Sequence, residues 1–557
     1  MPQTSPFNVQ QAMQEAVALH QQGRLREAEK LYARVLKAAP DHFDAMHLNG
    51  LAKAQAGQMG EAYRLMSGAL KINPQAPDAW MNLANVLHAL KRDPEALDCL
   101  DKALALRPGD LNALENRGNA LLALQRAQDA LACFNDVLAR DPRHGGARIG
   151  RGSALASLGR ANDALADFDA ALSVMPGHPG ALYNRGNALF DLGRYAEAIA
   201  AFDRALAVAP NFAQAWNNRG RALQTLNRHS EAIASFGKAV EQQKDYADAH
   251  ANRALSLLTL GDLKRGFAEY EWRWQRTGMR DTRRGYGKPL WLGEYPLARK
   301  TILLTAEQGL GDTIQFARYV TLLAKTGARV VLEVPPELKP LLESLDGVVS
   351  CHARGETLPA YDVHCPLGSL PLALKTEPGS IPAEIPYLRA DDARIEKWRP
   401  RIDALPGKRV AFAWAGNASH ANDRNRSIEL AMLEPLFAFE GLSFLSIQRD
   451  LRSGDAEVLS RHANVAALGD ELEDMADTAA LLALADLTIS VDTSVVHLAG
   501  ALGRPVWVML PFAPDWRWTL EGERSPWYPQ ARLFRQPAPG DWPSVTAALR
   551  AELARLA

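Results

Sequence analysis

The chain has 557 residues, more than one hydrophobic core usually supports, so two to four domains are expected. Its 63 Lys and Arg are matched by 64 Asp and Glu, which leaves no overall excess of cations and excludes a dominant non-specific nucleic-acid binder. Four cysteines (Cys99, Cys133, Cys351, Cys365) without CxxC or zinc spacing, an N-terminus without signal-peptide character, and no run of about 18 apolar residues point to a cytoplasmic chain with no disulfide scaffold, metal cluster or membrane span.

The first half is periodic. Prolines fall at 34-residue intervals at Pro40, Pro74, Pro108, Pro142, Pro176 and Pro210. Glycine keeps that period at Gly50, Gly118, Gly152, Gly186 and Gly220, and alanine from Ala28 to Ala232. A large side chain follows at Tyr32, Met66, Leu100, Phe134, Phe168, Phe202 and Phe236. This is the tetratricopeptide length: small residues let two helices approach, a bulky one plugs the next layer, and proline ends the second helix. Seven repeats are predicted over residues 9–246, with a degenerate eighth and cap over 247–280. The aromatic run Tyr270-Glu-Trp-Arg-Trp274 reads as a surface docking the repeats onto the next domain.

One column of the repeat invites a functional reading. Asn82, Asn116, Asn184, Asn218 and Asn252 share a position on the first helix, followed by Arg117, Arg151, Arg185, Arg219 and Arg253. Asparagine is a poor helix former, and its amide suits the backbone of an extended peptide. The ladder is similar to one in eukaryotic O-GlcNAc transferase that holds substrate polypeptide. Two readings stand side by side: an acceptor-peptide groove, or glue between repeats. Asp167-Phe168-Asp169 spells a DxD metal motif, but Phe168 is a repeat plug, so the motif is assigned to the repeat.

After Trp274 the period disappears, and residues 276–300, rich in Arg, Gly and Pro, read as a linker. The texture then becomes α/β. TILLTA (301–306), ARVVLEV (328–334) and YDVHCPL (361–367) are expected strands, with a helix at 313–326 and another after Pro335-Pro336. A Pro-rich stretch (370–388) leads to a second block with strands RVAFAWAG (409–416), FLSIQRD (444–450), LTISVD (487–492) and PVWVMLP (505–511). Helices are expected at 478–484, 493–502 and 541–556, the last placed to return to the first block.

Three segments carry a family resemblance. AEQGLGDTIQFARY resembles the first-strand loop of heptosyltransferase-like, family 9 glycosyltransferases, SVDTSVVHLAGALGRPVW their donor-binding segment, and WAGNASHANDRNRSI their basic donor-side loop. The order and spacing agree over about 250 residues and look like bacterial tetratricopeptide proteins fused to such a domain. The resemblance implies an all-α tetratricopeptide superhelix followed by an α/β GT-B fold, two Rossmann-like domains with a cleft between. The acceptor-side domain and linker would span 281–388 and the donor-binding domain, with its terminal helix, 389–557.

The resemblance also implies a transferase that moves a sugar from a nucleotide sugar without a metal or other cofactor, with inversion. Asp312 would be the general base, and Glu307 is in reserve. Gly309, Gly311, Trp414, Asn417, Arg424, Arg426, Ser427, Gln448, Asp492, Thr493, Ser494 and His497 would bind the donor. The physical reading agrees, since a departing phosphate is stabilised by helix N-termini and arginine forks. Asp312, Asp492 and Thr493 also read as helix caps. The loop from His420 to Ser427 is longer and more basic than the family's, and Ser494 replaces its usual glycine, so the sugar cannot be copied from the family. Trp516, Trp518, Trp527 and Tyr528 would wall the sugar pocket or pack the interface. A polypeptide held by the repeats is the expected acceptor, flagellin among the kinds implied by related fusions. Two other readings are a non-catalytic scaffold that binds a nucleotide sugar and a transferase for surface polysaccharide.

Overall fold

The computed structural model describes residues 7–279, 285–419 and 422–556. The expected domain boundary at 280/281 and His420 lie outside the described residues. Two compact units divide at Asn211/Phe212, so the last two helical hairpins group with the α/β region rather than with the first six.

Sixteen helices, from Val9–Gln21 to Leu263–Tyr270, form eight hairpins. Within a hairpin the glycine column lies against the ring column. A Cβ on Gly118 would fall 2.6 Å from Phe134, and one on Gly186 2.5 Å from Phe202. Glycine is therefore required for close helix approach, and the rings are fully buried. The hairpin turn needs a left-handed residue, and the positive φ recurs every 34 residues at Gly23, Gly57, Lys91, Gln125, Gly159, Gly193, Asn227 and Gly261.

From Phe212 onward, the last two hairpins precede two all-parallel sheets. The strands are β1 (Thr301–Thr305), β2 (Arg329–Val334), β3 (Val348–Ala353), β4 (Val363–Pro366), β5 (Lys408–Ala413), β6 (Leu442–Ser446), β7 (Val465–Ala467), β8 (Leu487–Val491), β9 (Val506–Leu510) and β10 (Ala531–Arg535). Their orders are β3-β2-β1-β4 and β10-β9-β8-β5-β6-β7. The second is a doubly wound order that reverses between β5 and β8. Central strands such as β8 are buried throughout, as strands covered on both faces must be.

β3, β7 and β10 were not expected from the sequence. All three lie at sheet edges, where fewer neighbours cover the strand and the apolar run is correspondingly weak. The terminal helix, Trp542–Leu553, also differs from expectation. Trp542, Val545, Leu549 and Leu553 pack with Val410, Phe412 and Phe444 of the second sheet, so the helix covers that sheet's own outer face and does not return to the first. On the other face one continuous core joins Leu258 and Phe267 of the last hairpin, Ile302 and Leu304 of β1, and Leu498, Trp516 and Trp518.

Phe202 has no exposed surface and fills the space above Gly186. Phe202→Ala should destabilise the first unit by about 3–5 kcal/mol, read as an earlier urea midpoint; a loss below about 1 kcal/mol would show that the ring column does not hold the hairpins together.

Candidate functional site

Doubly wound sheets bind ligands beyond the carboxyl ends of their strands, where the order reverses. In the first sheet that point lies between β1 and β4, and in the second between β5 and β8. The loops leaving these strands carry most of the residues singled out in the sequence.

Beyond β1 the chain enters the Leu310–Lys325 helix, with Gly309 as its N-cap. Asp312 Oδ2 accepts from the Gly309 amide at 3.1 Å, and Oδ1 accepts from Arg517 Nη2. The expected base is thus both a helix cap and half of an ion pair, and it is about a quarter exposed (28%). Arg517 is buried; its Nε donates to Gln315 Oε1 and its Nη1 to Asp515 Oδ1 at 2.9 Å. Glu307 is sealed deeper: its Oε1 accepts from Arg273 Nη2 at 3.0 Å and from Gly368 N at 3.1 Å. Burial pushes its carboxyl up, against the pull of Arg273.

Beyond β8, Thr493 is the N-cap of the Ser494–Ala501 helix, although its side chain makes no cap bond; Thr493 Oγ1 instead lies 3.2 Å from Ser490 Oγ. This helix meets the Leu310 helix almost at the backbone. A Cβ on Gly311 would stand 2.7 Å from His497 Cδ2 and 3.4 Å from Ser494 Cα. Gly311 therefore serves helix approach, and with it the two helix N-termini come together. His497 is buried, with Nδ1 3.1 Å from the Tyr528 hydroxyl and Nε2 3.8 Å from Asp492 Oδ1. Burial drives its pKa well below the usual value, so the imidazole is neutral. Asp492 is largely buried, with a pKa pushed up to about 7, first by burial and then by the Asp515 carboxylate.

From the loop after β5, Arg426 reaches across the reversal point. Its Nη1 donates to Asp492 O at 3.3 Å, and its guanidinium lies where a Cβ on Gly416 would be, 2.5 Å away. The structure thus gathers Gly309, Gly311, Asp312, Arg426, Asp492, Thr493, Ser494 and His497 around one junction.

Other expected donor ligands are engaged elsewhere. Trp414 is fully buried in the outer core, stacked on Phe412, with Nε1 donating to Asp455 Oδ2 at 3.0 Å. Gln448 does not reach outward: its Oε1 accepts from the Trp414 and Ala415 amides at 3.2 and 3.1 Å, satisfying backbone donors at the end of β5. Ser427 accepts from Gly416 N and donates to Asp423 Oδ1, pinning the loop. Asn417 closes a local turn onto Ser419. Arg424 is exposed and makes no hydrogen bond or ion pair among the described residues. Trp516, Trp518, Trp527 and Tyr528 are buried in the shared core, so they pack the interface and do not wall an open pocket.

The asparagine column proves to be a ladder. Nδ2 of Asn82, Asn116, Asn184 and Asn252 reaches the preceding repeat at His47, Asn85, Ser153 and Asn217 over 3.0–3.2 Å, and Asn218 accepts from Asn217. The arginines that follow do not form a free solvated face. Arg151 and Arg253 bind Asp167 and Glu269 on the second helix of their own hairpin, while Arg117 and Arg185 bind Asp101 and Asp169 on the second helix of the preceding one, and together these pairs engage both aspartates of the DxD spelling. A pocket of about 320 Å³ opens beside this ladder, lined in part by Asn85, His88, Asn116 and Asn119.

Sequence reasoning passed over Arg517 and Arg273. Both sit in the same triplet, Trp516-Arg517-Trp518 and Trp272-Arg273-Trp274. An arginine between two tryptophans is the available signal, because a planar guanidinium stacks on aromatic faces when buried. Arg517 lies 4.5 Å from the Trp516 ring and Arg273 4.7 Å from the Trp274 ring. The Tyr270–Trp274 run docks as its composition suggests. Tyr270 OH donates to Gln308 Oε1 at 2.9 Å, Arg273 binds Ser369 Oγ at 2.8 Å, and Phe267 meets Trp516 edge-on at 5.6 Å.

Removing Arg517 would leave Asp312 and Asp515 facing each other without a cation. Arg517→Ala should destabilise the second unit by about 3–5 kcal/mol in chemical denaturation, and Arg517→Lys should recover only part of it because the fork is lost. For Asp492 the folded pKa lies above the unfolded one, so stability falls as pH rises from about 4 to about 7, on the order of 1 kcal/mol per pH unit, and the penalty is complete above that. Asp492→Asn should therefore melt higher than the natural protein at about pH 8, with the gain shrinking towards about pH 4; a constant difference would contradict the burial argument.

The Tetratricopeptide repeat family matches residues 13–77, 53–117, 116–182, 183–242 and 217–276. Protein FlbA of Caulobacter vibrioides is 29% identical over 281 residues, covering 45% of this chain and 46% of that protein. The chain thus spans about half the length of this curated relative. Among solved structures, a tetratricopeptide repeat protein from Parabacteroides merdae is 19% identical, covering 45% of this chain and 98% of its own, with a TM-score of 0.40. A thermophilic tetratricopeptide protein from Thermus thermophilus is 27% identical, covering 33% and 100%, with a TM-score of 0.31. No helix among the described residues is long and apolar enough to cross a membrane. Residues 13–276 are tetratricopeptide repeats, an architecture suited to protein–protein interaction, and an α/β region with two parallel sheets comes after them.

Proposed function

We propose that the α/β region is a glycosyltransferase of the GT-B arrangement. It moves a sugar from a nucleotide sugar, without a divalent ion and with inversion, to a hydroxyl of a protein presented by the repeats. One observation supports this above the others. The N-termini of the Leu310 and Ser494 helices meet at Gly311 and His497, with Arg426 reaching across the reversal point of the second sheet. Two helix N-termini and an arginine fork are what a departing diphosphate requires when no metal neutralises it. Asp312 stands at the mouth of this junction, while Glu307 is sealed behind Arg273, so Asp312 is the carboxylate we assign to receive the acceptor's proton. The repeats supply protein recognition, and the asparagine ladder is the edge along which an acceptor peptide would lie, flagellin among the candidates.

The test is a thermal-shift screen of nucleotide sugars on the full chain. A true donor raises the melting temperature with concentration, and Arg426→Ala abolishes the shift. Asp312→Asn should keep the shift and lose transfer to protein. The cut that separates acceptor from donor functions belongs after residue 211, where the compact unit begins, because Asn227 Nδ2 donates to Phe512 O and residues 212–246 are part of the second unit. The 212–557 chain should bind donor yet leave protein acceptors unmodified. If no nucleotide sugar shifts the melt, the transferase reading fails; binding without transfer to any acceptor would mark a scaffold, and transfer to polysaccharide alone would redirect the acceptor.

A further inference from the structure

The third hairpin departs from its neighbours at the plug. In the four hairpins that follow, Phe134, Phe168, Phe202 and Phe236 each lie on a glycine of the facing helix, at Gly118, Gly152, Gly186 and Gly220. At the same two positions the third hairpin carries Leu100 and Ala84. The shorter side chain leaves the place of the ring unfilled, and here the pocket of about 320 Å³ opens. Ala84, Ala96, Leu100 and Ala120 form its apolar floor and are all buried, whereas Asn85, His88 and Asn119 stand exposed at its rim. The pocket is thus a gap in the core of the repeats that is open to solvent.

The rim carries unspent hydrogen-bonding groups of both kinds. Asn116 Nδ2 donates to Asn85 Oδ1 at 3.1 Å, which leaves Asn85 Nδ2 and Asn116 Oδ1 without partners among the described residues. The Asn119 amide makes no hydrogen bond among them either, while His88 is engaged by Asp93. A donor and an acceptor held side by side match the N–H and C=O of a peptide group, and neither is charged. Exposed amides add little affinity by themselves, because water competes for them. An apolar side chain taken out of water on the floor beneath them supplies the rest.

We propose that this pocket takes one apolar, phenylalanine-sized side chain of the polypeptide held by the repeats, with the adjoining peptide group bound between Asn85 and Asn116. The ligand supplies the ring that the third hairpin lacks. This rests on the reading above in which the repeats present a protein acceptor. It adds a requirement on the acceptor's sequence that the ladder alone does not impose, since amides read only backbone. A glycine at the anchor position would bury no apolar surface, and a carboxylate would lose its water on a floor that offers it no cation.

The probes are blocked amino acids, the N-acetyl N-methylamides of phenylalanine, glycine and aspartate, each with two peptide groups and one side chain. Saturation-transfer NMR on the full chain should show the phenylalanine form bound about tenfold or more tighter than the glycine form, and the aspartate form unbound. Leu100→Phe combined with Ala84→Gly installs the ring-on-glycine pair of the following hairpins. Asn116 accommodates that ring, because Asn184 and Asn218 stand at the same spacing from Phe168 and Phe202. This filled variant should melt no lower than the natural protein and should lose the phenylalanine signal. Asn116→Asp keeps the rung by turning the Asn85 amide round to donate to the new carboxylate, and should weaken the phenylalanine form about fivefold, the worth of one hydrogen bond. It decides the matter if the filled variant melts early. Equal binding of the glycine and phenylalanine forms, no binding of either, or an undiminished phenylalanine signal in a folded variant overturns the pocket. None of these readouts involves a nucleotide sugar. If the pocket fails while a donor raises the melting temperature, the transferase reading stands; if the probes bind while no donor does, that reading alone falls.

Discussion

Everything at the candidate site depends on one close approach, that of the Leu310 and Ser494 helices at Gly311. Any side chain there would collide with the His497 ring. Because the contact is made by glycine, the N-terminal turns of two helices that follow strands of different sheets come together. His497 is then shut away from water between Tyr528 and Asp492, which keeps it neutral. Arg517 completes the junction by joining Asp312 and Gln315 of one helix to Asp515 of the loop after β9.

The two Trp-Arg-Trp triplets do related jobs at two places. Arg517 ties the second sheet's loop to the first sheet's helix, and Arg273 ties the last repeat to the loops after β1 and β4. Buried ion pairs contribute little net stability, because desolvation offsets the attraction. Their value here is positional. Each guanidinium has a planar fork, aromatic faces on which to lie and several acceptors spaced to match, so it tolerates one arrangement of the elements around it. The last hairpin is therefore part of the α/β unit in packing as well as in contact, and it borders the loop that carries Gly309 and Asp312.

The repeats themselves show how one side-chain column ties successive hairpins together. The asparagine amides spend their N–H groups on the preceding repeat, which spaces successive hairpins. The following arginines are drawn by carboxylates to a second helix, Arg151 to that of its own hairpin and Arg185 to that of the preceding one. What remains towards solvent is a half-buried polar edge of regular pitch, beside a pocket that includes Asn85 and Asn116.

The repeats were legible because their signals are local and recur. Glycine opposite a ring and proline between hairpins each act within about one helical turn or one hairpin, so a 34-residue count captures them. The central strands were legible because burial on both faces demands an unbroken apolar run, whereas β3, β7 and β10 at the sheet edges carry no such demand. The junction's members at Gly309–Asp312, Arg426 and Asp492–His497 could also be named from the chain. Their duties could not. Whether Gln448 meets a ligand or the amides at the end of β5, whether Trp414 faces a pocket or Phe412, and that Asp312 is held by an arginine 205 residues away are matters of which surfaces meet. Local pattern along the chain was enough to set the repeat period, the parallel α/β texture and the residue types gathered at the strand ends. Folding in three dimensions chose which of those residues are paired, which are sealed and which stay open, because pairing and burial depend on distances between segments that no local pattern encodes.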